Sequence, residues 1–395
     1  MTKAGNNLMR FEFATAARIV FGAGALRDVG TIAAEMGTRI LVATRASSAD
    51  AVPLFDQLAA HHLLIVPFAV SGEPTVEMIR AGVRLARQSG IDGVIGFGGG
   101  SVIDAGKAIA ALLTNEGDLF DYLEVVGKGQ ALTRPPAPFM AIPTTAGTGS
   151  EVTRNAVLAS PEHRVKVSLR SPWMLPRVAL IDPELTYSMP PAVTGSTGLD
   201  ALTQVIEPFV SNKPNALTDS LCREGIRRGA RSLRQAYEHG DDVTAREDMA
   251  LTSLFGGLAL ANGKLGAVHG FAGPLGGRFP APHGAVCGRL LPFVIGMNLR
   301  ALQERSPQNE ALQRYDEVAR ILTGSEKARA IDGVAWIEEL CETLRVPALS
   351  AYGVKAEDLS LLVDQSSVAN SMRGNPVQLT PDEMREILEK ASGAG

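Results

Sequence analysis

Two histidines, His269 and His283, stand in NGKLGAVHGFAGPLGGRFPAPHG (residues 262–284), among glycines, prolines and alanines. A histidine beside glycine is open to close approach, and imidazole at neutral pH is a metal ligand or a proton carrier. The alternative for two loop-edge histidines is hydrogen bonding to backbone. Upstream, TGLDALTQVIEPFVS carries a second set of polar groups. Leu199, Leu202, Val205, Ile206 and Phe209 mark a core face, while Asp200, Thr203, Gln204 and Glu207 fall at i, i+3, i+4 and i+7 and share another. That stripe holds no Lys or Arg. A carboxylate and an amide four residues apart can hold a divalent cation; the alternative is a solvated face.

A third group of residues can bind an anion. In GFGGGSVIDAGKAIA an apolar strand runs into Gly98, Gly99 and Gly100, and a helix starts at Ser101. Glycine lets backbone N–H groups approach an anion, and the helix N-terminus adds partial positive charge and unpaired donors. This is how a diphosphate is held, although the spacing departs from GxGxxG; the alternative for the glycines is a tight turn. Ser101 and Asp104 also fit a capping box. AIPTTAGTGSEVT forms a second small-residue loop, in which Thr144, Thr145 and Thr148 offer hydroxyls and exposed backbone to a pyrophosphate or a nicotinamide ribose. Two such loops at the ends of parallel strands signal a dinucleotide more strongly than either alone. Arg45, not an acid, follows the strand RILVAT. It suits a ribose 2′-phosphate, and hence NADP over NAD, though an arginine there can also be merely solvated.

The frame for these residues is legible in the hydrophobic rhythm. After a loose tail over residues 1–10, FEFAT and ARIVFG read as two short strands forming a hairpin. Helices over about 25–36, 51–61, 76–89 and 101–113 then alternate with the strands RILVAT, LLIVPFAV, DGVIGFGGG and PFMAIP. Such alternation implies a parallel sheet in an α/β layer fold. LLIVPFAV is apolar throughout, as expected of a strand covered on both faces. From Ala192 onward the patterns are helical. Two domains follow: a Rossmann-like dinucleotide-binding domain over residues 1–189, and an all-helical metal and substrate domain over 190–395, with a ligand cleft between them.

Composition narrows the function. The 38 basic and 42 acidic side chains give a net charge of −4 without long runs of either sign, which argues against nucleic acid or an anionic membrane as partner. Three cysteines, Cys222, Cys287 and Cys341, none in a CxxC pair, suit a reducing cytoplasm and not a disulfide framework. The first residues lack the apolar core of a signal peptide, and no uncharged apolar run reaches membrane-spanning length.

Taken together, RIVFGAG, GFGGGSVIDAGKAIA, AIPTTAGTGSEVTRNAV, VALIDPELTYSMPP, TGLDALTQVIEPFVS, AVHGFAGPLGG, PAPHG and NPVQLTPDEM occur in an order that resembles the iron-containing, or group III, alcohol dehydrogenases nearly end to end. The resemblance implies a Rossmann-like domain followed by an all-helical one, NAD(P)-linked interconversion of alcohols and aldehydes, and often a homodimer. It also implies one divalent metal, iron or sometimes zinc, held by an aspartate and three histidines. The aspartate matches Asp200, and two of the histidines match His269 and His283. The remaining histidine position is Gln204, and a further histidine of many members is Gly273. By the same resemblance Gly99, Gly100, Ser101, Thr144, Thr145, Asn155, Lys166 and Leu185 contact the dinucleotide, with Asp104 close by. A glutamine carbonyl is a weaker ligand than imidazole for iron or zinc.

Three functional readings follow. The first is metal-assisted hydride transfer between NADP or NAD and a small alcohol/aldehyde pair, with Asp200, Gln204, His269 and His283 holding Fe2+ or Zn2+ and the two histidines also catalytic. The second, motivated by Gln204 and Gly273, is a metal-independent oxo-acid reductase resembling maleylacetate reductases. The third is an NADP(H)-binding protein without catalysis.

Overall fold

The computed structural model describes residues 10–45, 51–163 and 165–393. Of the tail expected over residues 1–10, only Arg10 lies among them, and Ala46, Ser47 and Ser48 after Arg45 lie outside. The first part of the chain holds strands β1 (Arg18–Phe21), β2 (Arg39–Arg45), β3 (Leu64–Val70), β4 (Gly93–Gly98), β5 (Phe139–Pro143), β6 (Asn155–Ser160), β7 (Val165–Arg170) and β8 (Val178–Ile181). Helices α1 (Val29–Ala34), α2 (Val52–Ala60), α3 (Val76–Gln88), α4 (Gly100–Thr114) and α5 (Leu119–Tyr122) lie between them. Six strands form one parallel sheet in the order β1-β8-β5-β4-β2-β3.

Inner strands alternate their side chains between two apolar layers. Ile40, Val42, Ile95, Phe97, Met140 and Ile142 face α1 and α2, packing on Val29, Ile32, Leu54 and Leu58. Leu41, Ala43, Val94, Phe139 and Ala141 face α3 and α4, packing on Ile79, Val83, Ile103 and Ile109. Burial on both faces explains why these strands read as continuous apolar runs.

Three readings need correction. FEFAT forms no strand, and β1 pairs in parallel with β8 rather than in a hairpin. Its partner VALI is a short strand that periodicity passed over. LLIVPFAV is not covered on both faces: β3 is the last strand of the sheet, Leu64 is exposed, and Ile65, Val66 and Phe68 are half-buried. Pro67 within it, which cannot donate to a ladder, belongs at such an edge. β6 and β7, an antiparallel pair, were also passed over.

From Pro191 on, the described residues contain helices and no strand: α6 (Pro191–Val210), α7 (Ala216–Glu238), α8 (Val243–Asn262), α9 (Ala267–Arg278), α10 (His283–Arg305), α11 (Ala311–Thr323), α12 (Ala330–Thr343), α13 (Leu359–Ser367) and α14 (Pro381–Ala391). Helix α6 is central. It packs on α7, α8 and α10 and is buried at every residue from Gly198 to Val210. Helix α10 is long and apolar enough to cross a membrane by composition, but most of it is buried in this helical core.

The two parts meet tightly at the loop after β5. Gly149 has φ 60°, and a Cβ there would lie 2.4 Å from Cα of Gly257 on α8. Gly129 has nearly the same backbone, φ 61°, with open space around it. An L side chain in this conformation costs about 1–2 kcal/mol. At Gly149 alone, collision with helix backbone adds about 1–3 kcal/mol more. Gly149→Ala should therefore melt well below Gly129→Ala in thermal unfolding; equal melting temperatures would show that the loop relaxes away from α8.

Candidate functional site

The polar stripe read on α6 is real and is not solvated. Asp200, Thr203, Gln204 and Glu207 are all buried. Three of them find hydrogen-bond partners, each in a different place. The Thr203 hydroxyl donates to its own helix at Leu199 O, 2.7 Å. Gln204 Nε2 donates to the Gly147 carbonyl at 3.0 Å, reaching the loop after β5. Glu207 Oε1 accepts the Val268 N–H at 2.7 Å, and Oε2 takes His269 Nδ1 at 2.6 Å.

The last pair fixes the imidazole. A carboxylate can only accept, so Nδ1 carries a proton, and Nε2 is the nitrogen turned toward Asp200. His269 lies in the first turn of α9, whose N-terminus is held by Glu207 and by Asn375 Oδ1, which accepts Ala267 N–H at 3.2 Å. Asn375 is locked in turn by reciprocal amide bonds with Asn298. His283 opens α10, and Gly284 brings that helix against α6: a Cβ there would sit 2.0 Å from the Ser196 carbonyl oxygen. Only glycine permits this approach, which delivers His283 beside Asp200.

The result is a cluster of four ligand atoms. His269 Nε2 lies 3.4 Å and His283 Nε2 3.8 Å from Asp200 Oδ1. Cys287, one turn along α10 from His283, places Sγ 3.7 Å from His283 Nε2 and 3.9 Å from His269 Nε2. All four atoms fall within 4.8 Å of one another. Asp200 Oδ1 is buried and has no hydrogen-bond partner. Burial would raise the Asp200 carboxyl, but the two imidazoles and Cys287 hold it below its ordinary value. Burial likewise depresses His269, yet Cys287, Asp200 and Glu207 outweigh it and lift its pKa well above the usual range.

This arrangement fits a divalent cation. Ligand bonds of about 2.0–2.3 Å around a tetrahedral ion put neighbouring ligand atoms roughly 3.3–3.6 Å apart. The observed edges are close to that. A cation would satisfy an orphaned buried carboxylate oxygen faced by two imidazole nitrogens.

Of the residues expected to contact a dinucleotide, those of the glycine and threonine loops lie at the carboxyl ends of β4 and β5. Gly98 ends β4, Gly99 precedes α4, and no side chain caps that helix. The Ser101–Asp104 capping box is therefore not formed, and the first donors of α4 stay available to an anion. Ser101 sits half-buried in that first turn. A Cβ on Gly99 would lie 3.4 Å from Thr145, and one on Gly100 2.9 Å from Thr148 Oγ1, so the two loops face each other directly. Thr144 N–H donates to Gly98 O at 3.0 Å. Asp104 instead accepts from Ser150 Oγ at 2.5 Å and Val157 N at 2.9 Å. Lys107, which sequence reading missed, donates to Ser150 O and Asn155 O, both at 2.8 Å, and to Thr153 Oγ1 at 3.0 Å. Asp104 and Lys107 thus clamp the threonine loop and Asn155 onto α4. Lys166 on β7 pairs with Glu73 at 3.0 Å, and its Nζ would lie 3.5 Å from a Cβ on Gly276 of α9. Leu185 packs under the sheet. Arg45 is exposed at the end of β2, where the Thr44–Phe97 register sets it level with Gly98.

The two sites are joined. Gln204, one turn from Asp200, holds Gly147, and a Cβ on Gly147 would lie 2.8 Å from Thr197 Cβ on α6. A family model described as iron-containing alcohol dehydrogenase matches residues 16–183, and one for the C-terminal part of the Fe-containing alcohol dehydrogenase family matches residues 194–392. The chain belongs to the iron-containing alcohol dehydrogenase family. This family consists of oxidoreductases acting on CH–OH groups and uses NAD(P) and a divalent metal. Alcohol dehydrogenase 4 of Saccharomyces cerevisiae is 35% identical over 319 residues, 80% of each chain. A crystal structure of a 1,3-propanediol oxidoreductase superposes with a TM-score of 0.89 at 32% identity, covering 97% of this chain and 100% of that one. Sulfoacetaldehyde reductase from Bifidobacterium kashiwanohense, solved in complex with NAD+, gives a TM-score of 0.87 at 29% identity, with 98% and 100% covered.

Glu207, Asn375 and Cys287 were not singled out for these roles. Glu207 was visible in the i, i+7 stripe and Asn375 in NPVQLTPDEM. Cys287 had its signal too: it follows His283 by four residues, the spacing that puts two side chains on one helix face. Loss of an orienting carboxylate behind a ligand histidine lowers metal affinity about 10–100-fold. Glu207→Gln should show that loss in chelator competition; unchanged affinity would mean that Glu207 does not set the imidazole.

Proposed function

We propose that this protein is an NAD(P)-dependent alcohol dehydrogenase, or in reverse an aldehyde reductase, acting on small substrates with a divalent metal held by Asp200, His269 and His283. The observation that carries this reading is the buried Asp200 oxygen, without a hydrogen-bond partner and faced by two imidazole nitrogens. The propanediol and sulfoacetaldehyde relatives support short primary alcohols and their aldehydes as the substrate class.

In the oxidative direction an alcohol gives up a hydride from carbon and a proton from oxygen. The metal supplies Lewis acidity at that oxygen, and the nicotinamide carries the hydride. The chain's own work is placement and proton handling. Glu207 fixes the His269 ring, and Gly284 fixes the start of α10. The glycine loop and the open N-terminus of α4 offer N–H donors to a diphosphate. Gln204 ties the threonine loop, a candidate nicotinamide-ribose contact, to the helix that carries Asp200. His283, with its side chain 38% exposed, borders the route by which a proton reaches solvent. Gly273, one turn from His269 on α9, has nothing within 4 Å of its would-be Cβ and leaves room for substrate.

Arg45 beside the glycine loop supports a preference for NADP(H). A charged hydrogen bond to a 2′-phosphate contributes about 1.5–3 kcal/mol, so Arg45→Ala should cut kcat/KM for NADPH roughly 10–100-fold and spare NADH. An equal effect on both cofactors would remove the basis of the preference. Dialysis against a chelator should abolish turnover of short primary alcohols, and added Zn2+ or Fe2+ should restore it. Full turnover in metal-free protein would move the assignment to a metal-independent oxo-acid reductase.

A further inference from the structure

We propose that Cys287 supplies the fourth protein ligand of the metal site, in place of residue 204, and that its sulfur shifts the site toward zinc over iron. The inference rests on the metal-bearing reading above and concerns which atoms make the site. Asp200, His269 and His283 provide three ligands. On α6 the fourth would have to come from Gln204, a neutral amide whose nitrogen is engaged by the Gly147 carbonyl. Across the site, on α10, stands Cys287.

The geometry favours the sulfur. His283 and Cys287 are four residues apart on one helix and so share a face. Sγ lies 3.7 Å and 3.9 Å from the two imidazole Nε2 atoms, which lie 3.8 Å and 3.4 Å from Asp200 Oδ1. These are four edges of one polyhedron, close to the spacing expected around a small tetrahedral cation. A second observation points the same way: Asp200 Oδ1, 2% exposed as a residue, aims into that polyhedron without a hydrogen-bond partner.

The other cysteines provide the contrast. A buried free cysteine is ordinarily a small apolar filler with a weak donor. Cys341 behaves so, donating to Gly288 O at 3.3 Å, and burial pushes its thiol up to about 12. Cys222 packs in the helical core, where burial also raises its thiol. Only Cys287 directs its sulfur at two imidazole nitrogens.

The chemistry follows from the donor set. Binding releases the thiol proton, leaving a sulfur–metal bond in place of S–H. Thiolate is a soft ligand, and sites mixing thiolate and imidazole suit zinc; with four protein ligands in place, a substrate oxygen would enter as a fifth, by the expansion to five-coordination that zinc tolerates. Gln204 becomes a positioning residue for the Gly147 loop.

The test uses cobalt as a spectroscopic stand-in for zinc. The full-length protein, stripped of metal, is titrated with Co2+ and followed in the near ultraviolet, where thiolate-to-cobalt charge transfer absorbs strongly. One equivalent should bind with that band. Cys287→Ser should abolish the band, and in a Zn2+/Fe2+ competition its zinc-to-iron occupancy should fall about tenfold or more. Gln204→Ala should keep both the band and the stoichiometry. One equivalent of cobalt bound to the unmodified protein without the band would overturn the ligand assignment and leave the metal-assisted reading intact. So would loss of metal in Gln204→Ala together with its retention in Cys287→Ser. Failure of the unmodified protein to bind any metal would overturn both readings.

Discussion

Everything in this molecule converges on a helix that is buried all round and yet carries four polar side chains on one face. An amphipathic helix escapes this problem by turning its polar face to water. Helix α6 cannot, because α7, α8 and α10 enclose it. Each polar group must find a partner inside the protein or be left at a cost. The solutions differ down the stripe. Thr203 bonds its own backbone, Glu207 anchors another helix, and Gln204 reaches across to the sheet domain. Asp200 alone is left with an oxygen that no protein donor satisfies. The oxygen that the helix leaves unsatisfied is the one that faces the two imidazoles.

The sheet contributes through the ends of its strands. β2, β4 and β5 are covered on both faces, so only their carboxyl termini emerge where a ligand can reach. Glycine and threonine loops occupy those ends. They are held by buried charge: Lys107 and Asp104, both on α4, take up the backbone and hydroxyls of the threonine loop. Burial lowers the Lys107 pKa, and that of Asp104 is raised by the same cause despite its lysine neighbour. Such a pair adds little net stability against apolar packing, but it dictates one conformation of the loop.

Much of this was legible in residue order. Period-2 and period-3.6 patterns located β2, β4, β5 and the flanking helices, and the GFGGGS and PTTAGTGS loops showed where strands end. The stripe on α6 announced Asp200, and glycine-flanked histidines announced His269 and His283. Other features were hidden for physical reasons. β3 looked like an inner strand because apolar composition does not reveal whether a neighbour exists on each side. β8 was too short for a period to register. Asp104 resembled a cap because Ser101 stands three residues before it, yet its carboxylate serves a hairpin far along the chain. The hold of Glu207 on His269 and the approach of Cys287 to the same ring needed the third dimension, since His269 lies on another helix from either.

The contact between Gly284 and the Ser196 carbonyl has a broader consequence. At that point the approach of α10 to α6 is main chain against main chain, and one turn on Gly288 admits the Leu199 side chain against the same helix. The floor of the site is thus rigid scaffolding into which donors of several kinds can be inserted, one position at a time, without moving the rest. On such a frame, imidazole, amide or sulfur at one position changes the donor set while the backbone around it keeps its place.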